Sequence, residues 1–322
     1  IDPYGIVDLT RMPRPFKLKR CFEMMNSAAN FLSHLASKDF KPLRVVVIGK
    51  NGFIGSELIV GLRKNGVNTL EIGREDIDLT APEATAFMRK TIREGDTVVF
   101  TAGDIPVRNL LQFENNMSML RNFLIGIENV DIQHLIYVSS DAVFMDLDSP
   151  LTEDSLRAPG TLHGAMHLTR EIALESSKFQ DRLCVVRPTL IYGHRDPHNS
   201  YGPCSFIRLA KKSEPIVLFG NGEERRDFIH VSDISDILRH IIKSGFVGAL
   251  NLATGEVHSF FDLANMILEI SGSNSPILHR PRVGQMPHNG YRPFDVHNIK
   301  VAFPDLQIKS LRDGLIFMNA GH

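Results

Sequence analysis

The fold of this chain is decided by the stretch Val45-Val46-Val47-Ile48-Gly49-Lys50-Asn51-Gly52-Phe53-Ile54-Gly55. Its first four residues are apolar and β-branched, which predicts a buried parallel strand, and the run over residues 56–62 predicts a helix. Three glycines spaced three apart lie between them. Gly49 allows a tight turn, Gly52 lets a phosphate approach the backbone, and Gly55 lets the helix pack closely on the strand.

The N-terminus of that helix adds free N–H groups and a positive dipole end, which suit the pyrophosphate of a dinucleotide. Strand, glycine turn and helix occur in the order that this motif requires. The alternative is an ordinary turn between a strand and a helix. The cofactor contacts expected from this loop are Gly49, Asn51, Gly52, Phe53, Ile54 and Gly55.

Composition limits the classes of function that remain. A chain of 322 residues has room for a large core and predicts two domains. The net charge of −1 argues against a broad nucleic-acid or anionic-membrane surface, so any anion site is expected to be local. The three cysteines form no CxxC pair, which favours a reducing, cytoplasmic compartment. No apolar run reaches the roughly 18 residues of a membrane-spanning helix.

Residues 1–42 precede the first strand and are expected to form an N-terminal extension. Apolar residues recur at helical spacing from Phe22 to Leu35, which predicts a helix packed on the body of the protein or on a second subunit. A basic run over residues 11–20 comes before it. A role of this segment in targeting or in partner docking is the alternative.

The second strand, predicted over residues 67–72, ends in Gly73-Arg74. In dinucleotide-binding folds an acidic side chain at this point binds the adenosine ribose. An arginine there suits a phosphate, so the sequence favours NADP over NAD. Glu71 lies two residues earlier, and a shift in register would return a carboxylate to this position.

Later segments alternate strand and helix. Strands are predicted at 97–102 and 135–138, and helices at 81–93 and 113–127. This alternation predicts an α/β fold, a Rossmann-type doubly wound parallel sheet. Ligands of such sheets bind beyond the carboxyl ends of the strands, so the site should be assembled from separate loops at one edge. The residues at those ends are Gly49, Arg74, Thr101 and Ser140.

Together these motifs resemble one family, the extended short-chain dehydrogenase/reductases, also called the NAD-dependent epimerase/dehydratase family. The resemblance spans about residues 44–300. Residues 49–55 match its phosphate loop, 139–144 its catalytic strand end, and 187–193 the strand after its catalytic helix. Residues 220–222 and 226–233 match a signature of members that act on nucleotide sugars.

The resemblance implies both cofactor and substrate contacts. Beyond the phosphate loop, the strand ends and the resemblance together predict the cofactor contacts Arg74, Asp78, Leu79, Thr101, Ala102, Gly103, Asn116, Ser139, His167 and Pro188. The expected substrate contacts are Ser140, His194 in the loop after residues 191–193, and two arginines that the resemblance implies to bind diphosphate, Arg226 and Arg282. The implied ligand is a nucleoside-diphosphate sugar.

One departure lies at the centre of the family's chemistry. The family carries Tyr-x-x-x-Lys on a helix, whereas the ungapped frame from Glu153 to Glu171 places His163 and His167 in those two positions. A phenol with a pKa near 10 needs a neighbouring cation to exchange protons at neutral pH. An imidazole, with an unperturbed pKa near 6.5, does not.

Three interpretations of the histidine pair remain open. In the favoured one, His163 is the acid/base of hydride transfer at a sugar carbon, His167 binds the nicotinamide ribose, and Ser140 contacts the reacting oxygen. Asp141 is then either a proton donor or a cap of the next turn. In the second, the chain binds cofactor or nucleotide sugar without turnover, as a regulatory or assembly subunit.

The third interpretation is a metal-dependent variant. It uses the histidine pair together with His194, His198 and Cys204, which follow in a loop expected to border the same cleft. We prefer solvated loop residues or sugar contacts for the second pair and expect no metal.

The C-terminal third is expected to interleave with the first domain. Residues 43–189 should form the dinucleotide-binding domain, to which residues 226–254 return. Residues 190–225 and 255–322 should form a smaller α/β substrate-binding lobe, with helices at 205–212 and 260–270. The family resemblance further implies a homodimer that pairs through the helices of residues 113–127 and 160–177.

Overall fold

The structure is a computed structural model that describes residues 33–34, 40, 42–196 and 201–320. The strands are β1 (Ser33–His34), β2 (Arg44–Ile48), β3 (Thr69–Ile72), β4 (Asp96–Phe100), β5 (His134–Val138), β6 (Leu183–Pro188), β7 (Leu190–Tyr192), β8 (Ile216–Phe219), β9 (Arg225–Arg226), β10 (Phe228–His230), β11 (Phe246–Leu252), β12 (His258–Ser259), β13 (Ile277–Arg280) and β14 (Tyr291–Arg292). The helices are α1 (Phe53–Lys64), α2 (Glu83–Thr91), α3 (Leu110–Gly126), α4 (Leu162–Glu175), α5 (Pro203–Lys211), α6 (Val231–Ser244), α7 (Phe260–Ser271), α8 (His297–Ala302) and α9 (Leu311–Asn319).

The central sheet has seven strands in the order β1-β11-β6-β5-β4-β2-β3. Its pairings are parallel except for β1, which pairs antiparallel with β11. Strand order reverses next to β2, which lies between β3 and β4. Crevices at such a reversal are the ligand sites of open α/β sheets.

Alternate residues of β2 face opposite layers of helices. Val45 and Val47 are buried in one core together with residues of α1 and α6. Val46 and Ile48 are buried in a second core with residues of α2, α3 and α4. A strand covered on both faces has to be apolar throughout, so the doubly wound parallel sheet predicted from this run is confirmed.

Three small sheets and a third core lie outside the central sheet. They pair β7 with β10, β8 with β13, and β9 with β12 and β14. Phe206, Phe260 and Leu315 are buried in this third core. Ile299 and Phe303, however, pack in the core of the central sheet. The boundaries expected for the substrate-binding lobe therefore stay a prediction, with one segment of its C-terminal part lying against the larger sheet.

Several element ends differ from the predicted ones. The first helix begins at Phe53 rather than at residue 56, and α2 is shorter than the predicted 81–93 because Pro82 is its N-cap. The helix predicted over residues 22–35 lies mostly outside the described residues, but Ser33–His34 are a strand, so its end was wrong there. In the described part of the chain, no helix is long and apolar enough to cross a membrane.

Candidate active site

A cavity of about 900 Å³ opens at the carboxyl ends of the parallel strands. It runs from the glycine turn after β2 to the N-terminal half of α4. Nearly all the predicted cofactor contacts line it, together with all four predicted catalytic residues. Those lining it are Gly49, Asn51, Gly52, Phe53, Ile54, Gly55, Arg74, Asp78, Leu79, Thr101, Ala102, Gly103, Ser139, Ser140, Asp141, His163, His167 and Pro188.

The glycine turn has the backbone that its sequence predicts. Gly49 has a φ of 109°, in the region that side chains rarely adopt, and a Cβ there would overlap the Thr101 hydroxyl. A Cβ on Gly55 would overlap the carbonyl oxygen of Gly49, so α1 lies directly against the turn. Both side-chain-free positions create a cradle at a helix N-terminus, which fits the diphosphate of a dinucleotide.

The pairing of β3 with β2 confirms that Arg74, and not Glu71, follows the end of β3. Glu71 pairs with Val47 and its carboxylate binds Arg63 at 2.7 Å, away from the strand tip. Arg74 is exposed and lines the cavity. Beside it, Lys50 pairs with Glu75 at 3.1 Å and with Asp76 at 2.7 Å. The two carboxylates offset the lysine and part of the arginine charge at this tip.

The two histidines of α4 face the same cavity. Their rings lie 4.8 Å apart and nearly perpendicular, as positions four apart on one helix face allow. The backbone N–H of Val107 lies 3.4 Å from Nδ1 of His163. A backbone N–H only donates, so this contact favours the tautomer of His163 with its proton on Nε2.

His167 is buried and neutral. Its Nδ1 lies 2.8 Å from the hydroxyl of Tyr137. Burial, together with the charges of His163 and Arg170, lowers the pKa of His167 well below 6.5. His167 therefore offers hydrogen bonding but no positive charge to a ligand in the cavity.

A buried ion pair between Glu171 and Arg187 anchors α4 to the central sheet. Glu171 is fully buried, and its carboxylate accepts hydrogen bonds from Arg187 at 3.0 and 2.9 Å and from Ser139 at 2.5 Å. Burial raises the pKa of Glu171, but Arg187 and the other donors outweigh it and the pKa lies below 4.5. Arg187 also donates to the carbonyl oxygen of Glu153 at 3.0 Å. Arg187 therefore binds both Glu153 and Glu171, the two ends of the ungapped segment that contains the histidines.

Gly164, between the two histidines, sets the distance from α4 to the end of β5. A Cβ at this position would overlap the carbonyl oxygen of Ala142. Only a glycine lets the helix approach the 141–143 turn so closely. The approach brings His163 and Ser140 to one end of the cavity.

Asp141 is held by an ion pair. Its carboxylate accepts from Nε of the buried Arg292 at 2.8 Å, and the same guanidinium binds Asp146 at 2.7 Å. Ser140 caps the turn, since its hydroxyl accepts the N–H of Ala142 at 3.2 Å. The ion pair favours a positioning role for Asp141 over the role of proton donor.

The two predicted diphosphate arginines line a second, adjoining cavity of about 330 Å³. Both bind one buried carboxylate, Glu224: Arg226 donates to it at 2.8 and 2.6 Å, and Arg282 at 2.8 Å. The cluster therefore carries one net positive charge. Asp141 and Leu190 line both cavities, which are therefore adjacent.

Two predicted contacts are not brought to either cavity. Asn116 is buried in α3, and its amide donates to the carbonyl oxygen of Asp104 at 2.9 Å, so it holds the loop after β4. His194 is exposed in the turn after β7 and lines neither cavity. The proposed metal ligands are not assembled among the described residues, where no group of three or more His, Cys, Asp or Glu side chains could hold an ion. His198 lies outside those residues.

Sequence reasoning missed Tyr137, Arg170 and Glu224. Arg170 lies three residues after His167, a spacing that places it near the same helix face, but nothing in the sequence shows its burial. Tyr137 lies two residues before Ser139 and so points to the same side of the strand. Glu224 is one of several charged residues in a row and is not distinguished by type.

The parallel sheet, the glycine cradle and the cavity across the strand ends define a Rossmann-type, dinucleotide-binding class of protein. The chain belongs to the NAD dependent epimerase/dehydratase family, whose model matches residues 45–253. This membership confirms the resemblance drawn from the motifs.

Known relatives agree over nearly the whole chain. A Bacillus subtilis (strain 168) protein described as an uncharacterized UDP-glucose epimerase is 26% identical over 311 residues, which cover 91% of this chain and 95% of the relative. Among solved structures, UDP-glucose 4-epimerase of Thermotoga maritima, with UDP-glucose, has a TM-score of 0.76 at 20% identity and covers 86% of this chain and 97% of its own. UDP-glucose 4-epimerase of Thermus thermophilus, with NAD, has a TM-score of 0.71 at 21% identity and covers 86% and 98%.

Proposed function

We propose that this chain is an oxidoreductase or epimerase that binds a nicotinamide dinucleotide in the main cavity and a nucleoside-diphosphate sugar across both cavities. One observation carries the proposal. A single cavity runs from the glycine cradle to His163, His167 and Ser140, and it shares two lining residues with the cavity of Arg226 and Arg282. Family membership and the named relatives support the same ligands.

The bound dinucleotide would exchange a hydride with a sugar carbon. The chain supplies the proton chemistry: His163 exchanges a proton with the sugar hydroxyl, and the Ser140 hydroxyl binds the same oxygen. Protonation of His163 on Nδ1 requires release of the Val107 N–H. At 3.4 Å that contact is at the long end for a hydrogen bond, so the release costs little.

The cofactor proposed is NADP(H), with NAD(H) as the alternative. The exposed Arg74 at the tip of β3 favours a 2′-phosphate. Glu75 and Asp76, which hold Lys50, reduce the positive field there. Titration with both reduced dinucleotides tests the choice: tighter binding of NADPH supports it, and equal or tighter binding of NADH contradicts it.

For the sugar ligand, Arg226 and Arg282 would exchange part of their bonding to Glu224 for the diphosphate oxygens. Bidentate arginine contacts suit such a group. UDP-glucose is the first compound to test, because the three similar proteins named above are all described as UDP-glucose epimerases.

The competing function is a subunit that binds these ligands without turnover. It draws support from the uncharged His167, which leaves the usual lysine position without a cation. A panel of nucleotides and nucleotide sugars in thermal-shift and absorbance assays separates the two. Conversion of any sugar, with transient absorbance of the reduced cofactor, supports the enzyme. Several ligands that bind while none is converted support the non-catalytic subunit.

A homodimer through α3 and α4 is also proposed. Both helices expose large apolar side chains, among them Leu111 at 66% and Ile172 at 50% exposure. Light scattering tests it: a dimer mass supports the pairing, and a monomer contradicts it. A cytoplasmic location stays a prediction, in keeping with the free, buried Cys184 and Cys204.

A further inference from the structure

Behind the histidine pair lies a buried polar chain that the proposed chemistry does not use. The Tyr137 hydroxyl, on β5, lies 2.8 Å from Nδ1 of His167, on α4. Arg170, one turn further along α4, is 1% exposed. It donates to the carbonyl oxygens of Ala102 at 2.8 Å and of Asn116 at 2.7 and 3.2 Å.

Arg170 is a buried cation without an anionic partner. Among the described residues, neutral oxygens take its hydrogen bonds, namely the two carbonyls and the Tyr137 hydroxyl. The Met119 sulfur lies 3.8 Å away, and the Phe100 ring lies 5.4 Å from the guanidinium carbon. A buried guanidinium is normally paired with a carboxylate. This one leaves a fixed positive charge next to the cavity.

The direction of the Tyr137–His167 hydrogen bond follows from the neighbours. Burial raises the pKa of Tyr137 far above neutrality, so the phenol keeps its proton. Arg170 has no acceptor to offer, and the 2.8 Å contact with Nδ1 of His167 places a ring nitrogen at hydrogen-bond distance from the phenol. Nδ1 of His167 is the acceptor left for the phenol.

We infer that Tyr137 is a positioning residue that holds His167 as the tautomer with its proton on Nε2, and that Arg170 supplies the fixed cation of the site. His167 lines the main cavity, and the contact with Tyr137 occupies its Nδ1, which leaves Nε2 as the other ring nitrogen. That N–H is then the group offered to a hydroxyl of the bound dinucleotide. This inference rests on the proposed function.

In this site the hydrogen bond and the positive charge come from different residues, and this separation has a physical reason. A single lysine can both donate a hydrogen bond and carry a charge. The lowered pKa of His167, caused first by burial and then by His163 and Arg170, means that the histidine supplies the hydrogen bond alone. Arg170 supplies the charge, and Tyr137 keeps the donor nitrogen turned toward the cavity.

Nitrogen NMR of the full-length protein, labelled with ¹⁵N at histidine, tests the inference directly. The His167 signals are assigned by their loss in His167→Gln. The expected wild-type spectrum shows an unprotonated Nδ1 and a protonated Nε2. A proton on Nδ1 in the wild-type protein would overturn the inference, whatever any variant does.

Tyr137→Phe supplies the second measurement. It should give a mixture of His167 tautomers and weaken dinucleotide binding about 5- to 10-fold, as expected for one lost hydrogen bond. Tyr192→Phe is the matched control, because Tyr192 is equally buried but lines neither cavity. A folded Tyr137→Phe protein with the wild-type tautomer and affinity would contradict the role of Tyr137. The tautomer is measured without substrate, so an absence of sugar conversion would count against the proposed function alone.

Discussion

The buried His134 should make the stability of the protein depend on pH. Its Nε2 lies 2.8 Å from the carbonyl oxygen of Phe246, and a carbonyl can only accept, so the proton of the neutral ring lies on Nε2. Nδ1 is buried and has no partner among the described residues. Burial lowers the pKa of His134 from 6.5 to about 4, and the Phe246 contact opposes this only in part.

The sign of the effect follows from linkage. The unfolded chain binds a proton at this histidine below pH 6.5, whereas the folded protein does so only near pH 4. The free energy of unfolding therefore falls as pH drops through this window. At 1.36 kcal/mol per pKa unit, the loss is about 2 kcal/mol at pH 5 and about 3 kcal/mol at pH 4.

Comparison with His134→Gln isolates this effect, because the amide retains a donor for Phe246 but does not titrate. Urea unfolding of both proteins from about pH 7 to about pH 4 gives the two pH dependences. Asp227, whose pKa burial raises to about 6, has the opposite effect, and His230, whose pKa burial lowers to about 4, has the same effect as His134. Asp227 and His230 are present in the wild type and in the variant, so their contributions cancel when the two proteins are compared. The wild type should lose about 2 to 3 kcal/mol more than the variant; parallel curves would refute the reasoning.

Three further substitutions test the site and its supports. Glu171→Gln should lower the free energy of unfolding by about 3 to 5 kcal/mol, because Arg187 loses its buried carboxylate partner. A loss below about 1 kcal/mol in urea unfolding would contradict a stabilising role of this ion pair. Gly164→Ala should lower the free energy of unfolding by about 1 to 3 kcal/mol, because the new Cβ pushes α4 away from the Ala142 carbonyl. Gly160→Ala is the control: no described atom lies within 4 Å of its new Cβ, so the free energy of unfolding should hardly change. Arg74→Asp should reverse the preference for NADPH by about tenfold or more in binding titrations, and an unchanged preference would remove Arg74 from the cofactor site.

The fold was predictable because its signals are local. Four apolar residues followed by spaced glycines require a strand, a turn and a helix in one order, and side chains at parallel strand ends necessarily meet at one edge. Thus Gly49, Thr101 and Ser140 come to line one cavity, as expected. Element ends were less predictable: α1 begins at Phe53 rather than at residue 56, and α2 ends at Thr91 rather than at residue 93.

The electrostatics of the site could not be predicted in this way. The pKa of His167 is lowered first by burial and then by the charges of His163 and Arg170, and the sequence shows neither the burial of His167 nor that of Arg170. Likewise, Glu224 binds both Arg226, 2 positions away, and Arg282, 58 positions away. Charge and pKa depend on such distant neighbours and on solvent exclusion, whereas sequence motifs report residue types at short spacing.

The role of His163 is tested most directly by His163→Phe, assayed for conversion of whichever nucleotide sugar the wild-type protein converts. His297→Phe, which removes an exposed imidazole at the start of α8, is the matched control. Loss of the acid/base should lower turnover by about 100-fold or more while dinucleotide affinity stays within about 2-fold, and the control should match the wild type. Wild-type turnover in a folded His163→Phe protein would contradict the assignment of His163 as the acid/base of hydride transfer.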